Sequence, residues 1–251
     1  MIPTQHPFMK FFLNRISRGF TLIELLVVMT IIGVMMTLAS TVLRDTGTGR
    51  TLDSGVDIVE NLIREARATA QGNDTYTRLA IVSDPNDTGK NSHHLRYLVV
   101  QMLSRNNNIN YDGTSTTAEG EWKSTSSGVL LPPGVYFSPT YSHALSWAEG
   151  SGDKIGTDTA RISKTKRSRV YYFEFDEKGR YVAPSAGPNS PSQPHRIVLI
   201  NARLGKGRNA HDGLVPMQVD SQHRPVGAKG LVIWPAGNTS TLRTRDQIFN
   251  R

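Results

Sequence analysis

Residues 18–43 read Arg18-Gly19-Phe20-Thr21-Leu22-Ile23-Glu24-Leu25-Leu26-Val27-Val28-Met29-Thr30-Ile31-Ile32-Gly33-Val34-Met35-Met36-Thr37-Leu38-Ala39-Ser40-Thr41-Val42-Leu43. From Phe20 to Leu43 the run holds 24 residues and one charge, Glu24. As a helix it measures about 36 Å, enough to cross roughly 30 Å of hydrocarbon with some tilt. A charged side chain inside a bilayer costs at least about 2.5 kcal/mol even on lenient insertion scales, so Glu24 marks function and needs a partner. Spacing offers one. A cut between Gly19 and Phe20 creates a backbone amine at Phe20 and makes Glu24 the fifth residue of the mature chain.

A simple signal anchor would also cross a membrane with such a run. A secretory signal peptide fits less well, because its apolar region is shorter and precedes its cleavage site, whereas the small residue here, Gly19, lies before the apolar run. The leader, residues 1–19, contains Lys10, Arg15 and Arg18 and no acid. These cations should stay cytoplasmic, which puts the 208 residues after Leu43 across the membrane. The chain has no cysteine, so it has neither a disulfide staple nor a thiolate metal site. Its net charge of +8 falls to +5 once the three leader cations are removed, a moderately basic balance that permits contact with nucleic acid or anionic surfaces. Length predicts one globular domain after the N-terminal helix.

The segment Gly19-Phe20-Thr21-Leu22-Ile23-Glu24 behind a basic leader closely resembles the class III signal of type IV pilins and type II secretion pseudopilins. The resemblance implies cleavage between Gly19 and Phe20 and N-methylation of Phe20 by a prepilin peptidase and methyltransferase. It also implies residence in a bacterial inner membrane with a periplasmic head, and assembly with other pilins or pseudopilins by an inner-membrane platform. Glu24 would then neutralise the Phe20 amine of the next subunit, since a paired charge in a low-dielectric bundle is tolerable and sets register. The implied fold is α+β: a long N-terminal helix, transmembrane in its first half and in contact there with membrane lipid, packed beyond against an antiparallel sheet. Many pilins carry a proline near the twenty-second mature residue; this chain has Thr41.

Working outward from the apolar run, Gly47 and Gly49 lie in a polar stretch that should weaken or interrupt a helix. A second helical pattern then covers residues 44–72. Leu52, Val56, Val59, Ile63, Ala66 and Ala70 recur at spacings of three and four on one face, with Asp57, Glu60, Arg64 and Arg67 off it. Residues 73–251 read as a β-rich head. Strands are predicted over 76–83, 94–103, 134–138, 170–175, 196–201 and 230–234 from their β-branched and aromatic residues. Polar, Asn-, Ser-, Gly- and Pro-rich stretches near 104–128 and 185–194 predict surface loops or flexible insertions.

Three parts of this head resemble the GspH/FimT family of minor pseudopilins. They are Leu62-Ile63-Arg64-Glu65-Ala66-Arg67-Ala68, the segment Leu131-Pro132-Pro133-Gly134-Val135, and two C-terminal turns, Phe175-Asp176-Glu177-Lys178-Gly179 and Pro235-Ala236-Gly237. Together with the size of the head, the resemblance implies a minor or specialised structural subunit.

No catalytic pattern emerges. The serines occupy no Gly-x-Ser-x-Gly setting, and there is no Gly-Lys-Ser/Thr phosphate loop. His93 and His94 are adjacent, so on a strand they diverge, and His143, His195, His211 and His223 lack ligand spacing. Asp84, Asn86 and Asp87 lack the glycine and distal glutamate of a calcium loop. The reading is a non-enzyme without metal or cofactor. Two basic features offer an alternative, a DNA-binding minor pilin for DNA uptake. Arg161, Lys164, Lys166, Arg167 and Arg169 form one, beside the stacking candidates Tyr171 and Tyr172, and Arg243, Arg245 and Arg251 form the other.

Overall fold

The computed structural model describes residues 21–87, 92–104, 121–145, 155–162, 167–184, 193–205, 213–242 and 244–249, without the side chains of 38–48. The chain divides into two compact units, an N-terminal one ending at Asp45 and a head from Thr46 to Arg251. Helical residues run over α1 (Leu22–Asn73). Gly47 and Gly49 both have helical backbone, and the division between the two units falls just before them. Two glycines cost a helix only about 1 kcal/mol each, which the downstream packing offsets. The helix ends in a Schellman turn, with Asp74 at φ 47° and the Thr75 N–H donating to the Ala70 carbonyl at 3.2 Å.

The head contains β1 (Thr77–Val82), β2 (Tyr97–Ser104), β3 (Glu121–Ser124), β4 (Val129–Leu130), β5 (Val135–Phe137) and β6 (Gly156–Arg161). It continues with β7 (Arg167–Phe175), β8 (Tyr181–Val182), β9 (His195–Leu204), β10 (Leu214–Pro216), β11 (Ala228–Ile233), β12 (Thr239–Leu242) and α2 (Arg245–Phe249). The first sheet orders β3-β2-β1-β7-β6, with β4 on β2 and β8 on β7; the second orders β10-β9-β11-β12, with β5 on β9. Each expected strand segment holds a strand. One correction concerns the expected loop at 104–128, in which residues 121–124 form β3, pairing Trp122 with Leu103 of β2. A short Glu-Trp-Lys-Ser alternation reads as polar loop until a neighbour supplies its ladder. Residues 105–120 and 185–192 of the expected insertions lie outside the described residues.

All six stripe residues of the helix, Leu52 to Ala70, are buried, and five of them, Leu52, Val56, Val59, Ile63 and Ala66, share one core cluster with residues of both sheets. At Gly55 a Cβ would stand 3.1 Å from both Leu199 and Val135, so the missing side chain lets the second sheet approach the helix closely. The first sheet is tied by Thr77, whose hydroxyl donates to the Ala66 carbonyl at 2.8 Å.

The three segments that resemble minor pseudopilins have distinct places. Pro132 to Val135 form a type II turn, closed by the Val135 N–H on the Pro132 carbonyl at 3.1 Å with Gly134 at φ 81°. The other two meet. Arg67 of α1 donates to the Gly179 carbonyl at 3.1 Å and to the Ala236 carbonyl at 3.3 Å, clasping the β7–β8 turn of one sheet to the β11–β12 turn of the other. Gly237, at φ 82°, lies so close that a Cβ there would fall 2.1 Å from the Gly179 carbonyl oxygen.

On its far side the first sheet curls until its edge strands approach. Arg161 of β6 pairs with Glu121 of β3 at 3.2 Å, and Gln101 donates to the Arg161 carbonyl at 3.1 Å. Beneath this seam lies Arg78, its side chain 2% exposed. Its guanidinium stands 4.2 Å from the Trp122 ring centroid and 5.3 Å from that of Tyr172, and donates to Gln101 at 2.9 Å and Asp158 at 2.8 Å. Glu174 faces Arg78 across the β1–β7 register. Burial pushes its carboxyl up to about 7; Arg78 works against the shift and Asp158 adds to it.

Candidate functional site

Gly19 and Phe20, the expected processing site, lie outside the described residues. Thr21 caps α1. Its hydroxyl accepts from the Glu24 N–H at 3.3 Å, and its carbonyl accepts from the N–H groups of Glu24 and Leu25, each at 3.1 Å. Thr21-Leu22-Ile23-Glu24 therefore has the Thr-x-x-Glu pattern of a capping box, a local signal that attention to the apolar run alone passes over. The carboxylate belongs to the first turn, where the helix dipole favours an anion. Glu24 thus has a local reason to stand here that is independent of any partner amine.

The side chains that follow, from Leu22 to Met36, are exposed all round the helix; Leu22 is 83% and Met36 69% accessible. A helix apolar on every side is suited to burial in lipid or among other helices. Thr30 and Thr37 fit such surroundings because each hydroxyl donates back to a carbonyl three residues earlier, at 2.7 Å. Among the described residues no helix is long and apolar enough to cross a membrane. The described side chains of the apolar run stop at Thr37, short of its end at Leu43.

A model of the prokaryotic N-terminal methylation motif matches residues 14–40. The chain carries a prokaryotic N-terminal methylation motif. That motif spans the basic end of the leader, Gly19, Phe20 and most of the apolar run. It supports a type IV pilin-like precursor, processed by prepilin peptidase and assembling with other pilins. No curated protein and no solved structure matches the chain.

Among the described residues the basic side chains belong to two different parts of the head, the β6–β7 ladder and α2. Arg161, Arg167 and Arg169 are exposed, and Arg161 stands opposite Arg167 in the β6–β7 register, with Thr159 opposite Arg169. The three cations therefore share one side of the ladder, with Arg161 engaged by Glu121. Lys164, Lys166, Arg243 and Arg251 lie outside the described residues. Arg245, expected as a possible nucleic-acid contact, is engaged within the head. It donates to Asp220 at 2.5 Å and to the Pro225 carbonyl at 3.3 Å, and lies 5.6 Å from the Phe249 ring centroid. Burial opposes ionisation of Asp220, yet the N–H groups of Arg224 and Gln222 and the two guanidinium groups hold its carboxyl down at about 2. Arg245 is thus half of an ion pair that fastens α2, which weakens the tail as a phosphate contact.

Of the histidines, His143 has a specific polar setting. Arg196 donates to its Nε2 at 2.9 Å and its Nδ1 lies 2.9 Å from the Ala144 carbonyl, an arrangement that suits the neutral ring. Burial holds its pKa below the usual value, against the pull of the Ala144 carbonyl and with the help of Arg196. Arg196 also donates to the Ile248 carbonyl at 2.8 Å, a second tie on α2. Among the described residues no group of three or more His, Cys, Asp or Glu is arranged to hold a metal ion.

Proposed function

We propose that this protein is a minor structural subunit of a type IV pilus or a type II secretion pseudopilus. The methylation motif over residues 14–40 carries the reading. Prepilin peptidase cuts between Gly19 and Phe20, and the new amine of Phe20 is methylated. Residues 20–43 cross the bacterial inner membrane as a single span, with the leader cytoplasmic before the cut and the head periplasmic. Subunits leave the membrane by packing their apolar helices side by side. The Glu24 carboxylate, already placed in the first turn by the Thr21 cap, meets the Phe20 amine of the neighbouring subunit.

The head supports a place near the GspH/FimT pseudopilins. α1 packs against both sheets through its apolar stripe, and Arg67 gathers the two C-terminal turns named by that resemblance at one point.

Intact-mass analysis of protein purified from its native host tests the processing step. The expected species starts at Phe20 and carries one added methyl group. Filaments built from a chain that retains residues 1–19 would overturn the reading.

A further inference from the structure

Between β10 and β11 the chain leaves the second sheet as a short two-stranded ribbon. Its root is tied to β9: the Met217 N–H donates to the Asn201 carbonyl at 3.0 Å, and the Asn201 N–H donates to that of Gly227 at 2.8 Å. Val219 bridges Pro225, and the Val226 N–H donates to the Gln218 carbonyl at 3.0 Å. The tip is closed around Asp220 and pinned by Arg245. This ribbon carries apolar residues that the core does not use. Met217 is 55%, Val219 48% and Val226 45% exposed. Alternation puts Met217 and Val219 on one face and Val226 on the other.

Position tells what could cover them. A Cβ on Gly227 would lie 3.6 Å from Leu52, so the ribbon springs from the end of the head at which α1 enters it. The turns held by Arg67 and Gln71 lie at the opposite end of that helix segment. Leu52 is nine residues beyond Leu43, the end of the apolar run. That distance is about 14 Å if helical and at most about 30 Å in any conformation. Arg50 and Arg203 are exposed near the same end, Arg203 standing opposite Val215 in the β9–β10 register.

We propose that the ribbon Met217–Val226 is a membrane-contact site that rests the unassembled subunit's head on an anionic bilayer surface. Met217 and Val219, on one face, enter the boundary between headgroups and acyl chains, and Arg50 and Arg203 meet lipid phosphates. Two aliphatic side chains are too few to hold a free protein to a bilayer. The tether supplies the missing affinity, because it makes contact an intramolecular event at high effective concentration. The proposal rests on the reading of residues 20–43 as a membrane span.

The chain has no cysteine, so single probes are unambiguous. The full-length protein is placed in nanodiscs of phosphatidylglycerol and phosphatidylethanolamine, with a fluorophore on Met217→Cys, Val219→Cys or, at the far end of the head, Lys178→Cys. Lipids with a nitroxide on the headgroup serve as quenchers. Quenching should be several-fold stronger at positions 217 and 219 than at 178. Replacing the anionic lipid by phosphatidylcholine, or introducing Arg50→Glu or Arg203→Glu, should weaken docking about fivefold for each arginine no longer held at the anionic surface. Equal quenching at 217 and 178 in an embedded chain would overturn this proposal and leave the span intact. Disulfide-linked dimers through Met217→Cys without quenching would assign the ribbon to a second copy and overturn it as well. A chain that separates from the nanodiscs on size exclusion would remove the span and, with it, this proposal.

Discussion

Glu24 satisfies two demands with one side chain. Thr21 and the helix dipole give the carboxylate a place in the first turn of any chain bearing Thr-x-x-Glu, whether or not another subunit is present. The assembly reading asks more of it, a cation in the neighbouring subunit. Glu24→Leu separates the two. Losing the acid should weaken only the helix start, by a few tenths of a kcal/mol up to about 1 kcal/mol, and ease insertion. Membrane fractionation should therefore find the variant at wild-type levels, while the sheared filament fraction of a strain lacking the native copy should be nearly empty of it. Wild-type incorporation would show that charge pairing does not drive assembly. Gly237 is constrained in a different way. Its left-handed backbone and the 2.1 Å approach to the Gly179 oxygen leave no room for a methyl group. Gly237→Ala should destabilise the head by at least about 2 kcal/mol. Arg67→Ala should cost about 1–2 kcal/mol because two hydrogen bonds go with it. Denaturant melts of the singles and the double should be non-additive, because Gly237 and Arg67 hold the same junction.

At the scale of the elements, the first sheet hides a charge network on the side away from α1. Gly156 lets β6 lie against the Tyr172 ring, where a Cβ would come within 2.4 Å, and Tyr172 in turn flanks the Arg78 guanidinium. Glu174 completes the site in a protonated state that outlasts the ordinary carboxylate range. Its folded pKa of about 7 is above the ordinary 4.5, so the folded chain binds more protons than the unfolded one between these two pH values. Stability should therefore fall as pH rises from 4.5 to 7, by up to about 3 kcal/mol. Glu174→Gln keeps the neutral shape and should flatten that part of the profile. Urea melts at several pH values read the difference, and a variant with the wild-type slope would assign the dependence to another group.

At the scale of the whole molecule, two arginines from distant parts of the sequence fasten the C-terminal helix. Arg245 of α2 reaches Asp220, and Arg196 of β9 reaches the Ile248 carbonyl. Phe249 stacks edge-on against Tyr141 with ring centroids 5.0 Å apart. Because the folded pKa of Asp220 is depressed to about 2, its contribution is present above about 3.8 and is lost as pH falls through 2. Asp220→Asn should abolish that acid transition and loosen α2 at neutral pH without unfolding the sheets. Amide exchange would show it as faster exchange confined to residues 244–249 and the ribbon tip. Protection unchanged in both places would mean that Arg196 and the aromatic contact suffice.

The methylation motif over residues 14–40 was legible in the sequence, since the apolar run and the basic residues before it lie within a few positions of one another. So were the buried stripe from Leu52 to Ala70 and the main strands, because side-chain periodicity follows from backbone geometry alone. β3 and β6 were not, as their residues are mostly polar and become strands by completing the ladders of β2 and β7. The role of Arg245 depended on the fold too. A cation in a tail reads as free until the chain sets it beside an acid 25 residues earlier. The junction of Arg67, Gly179 and Gly237 and the burial of Arg78 under Trp122 are of the same kind. Periodicity and turn chemistry are local properties, whereas desolvation and charge pairing depend on which distant residues the packed sheets bring into contact.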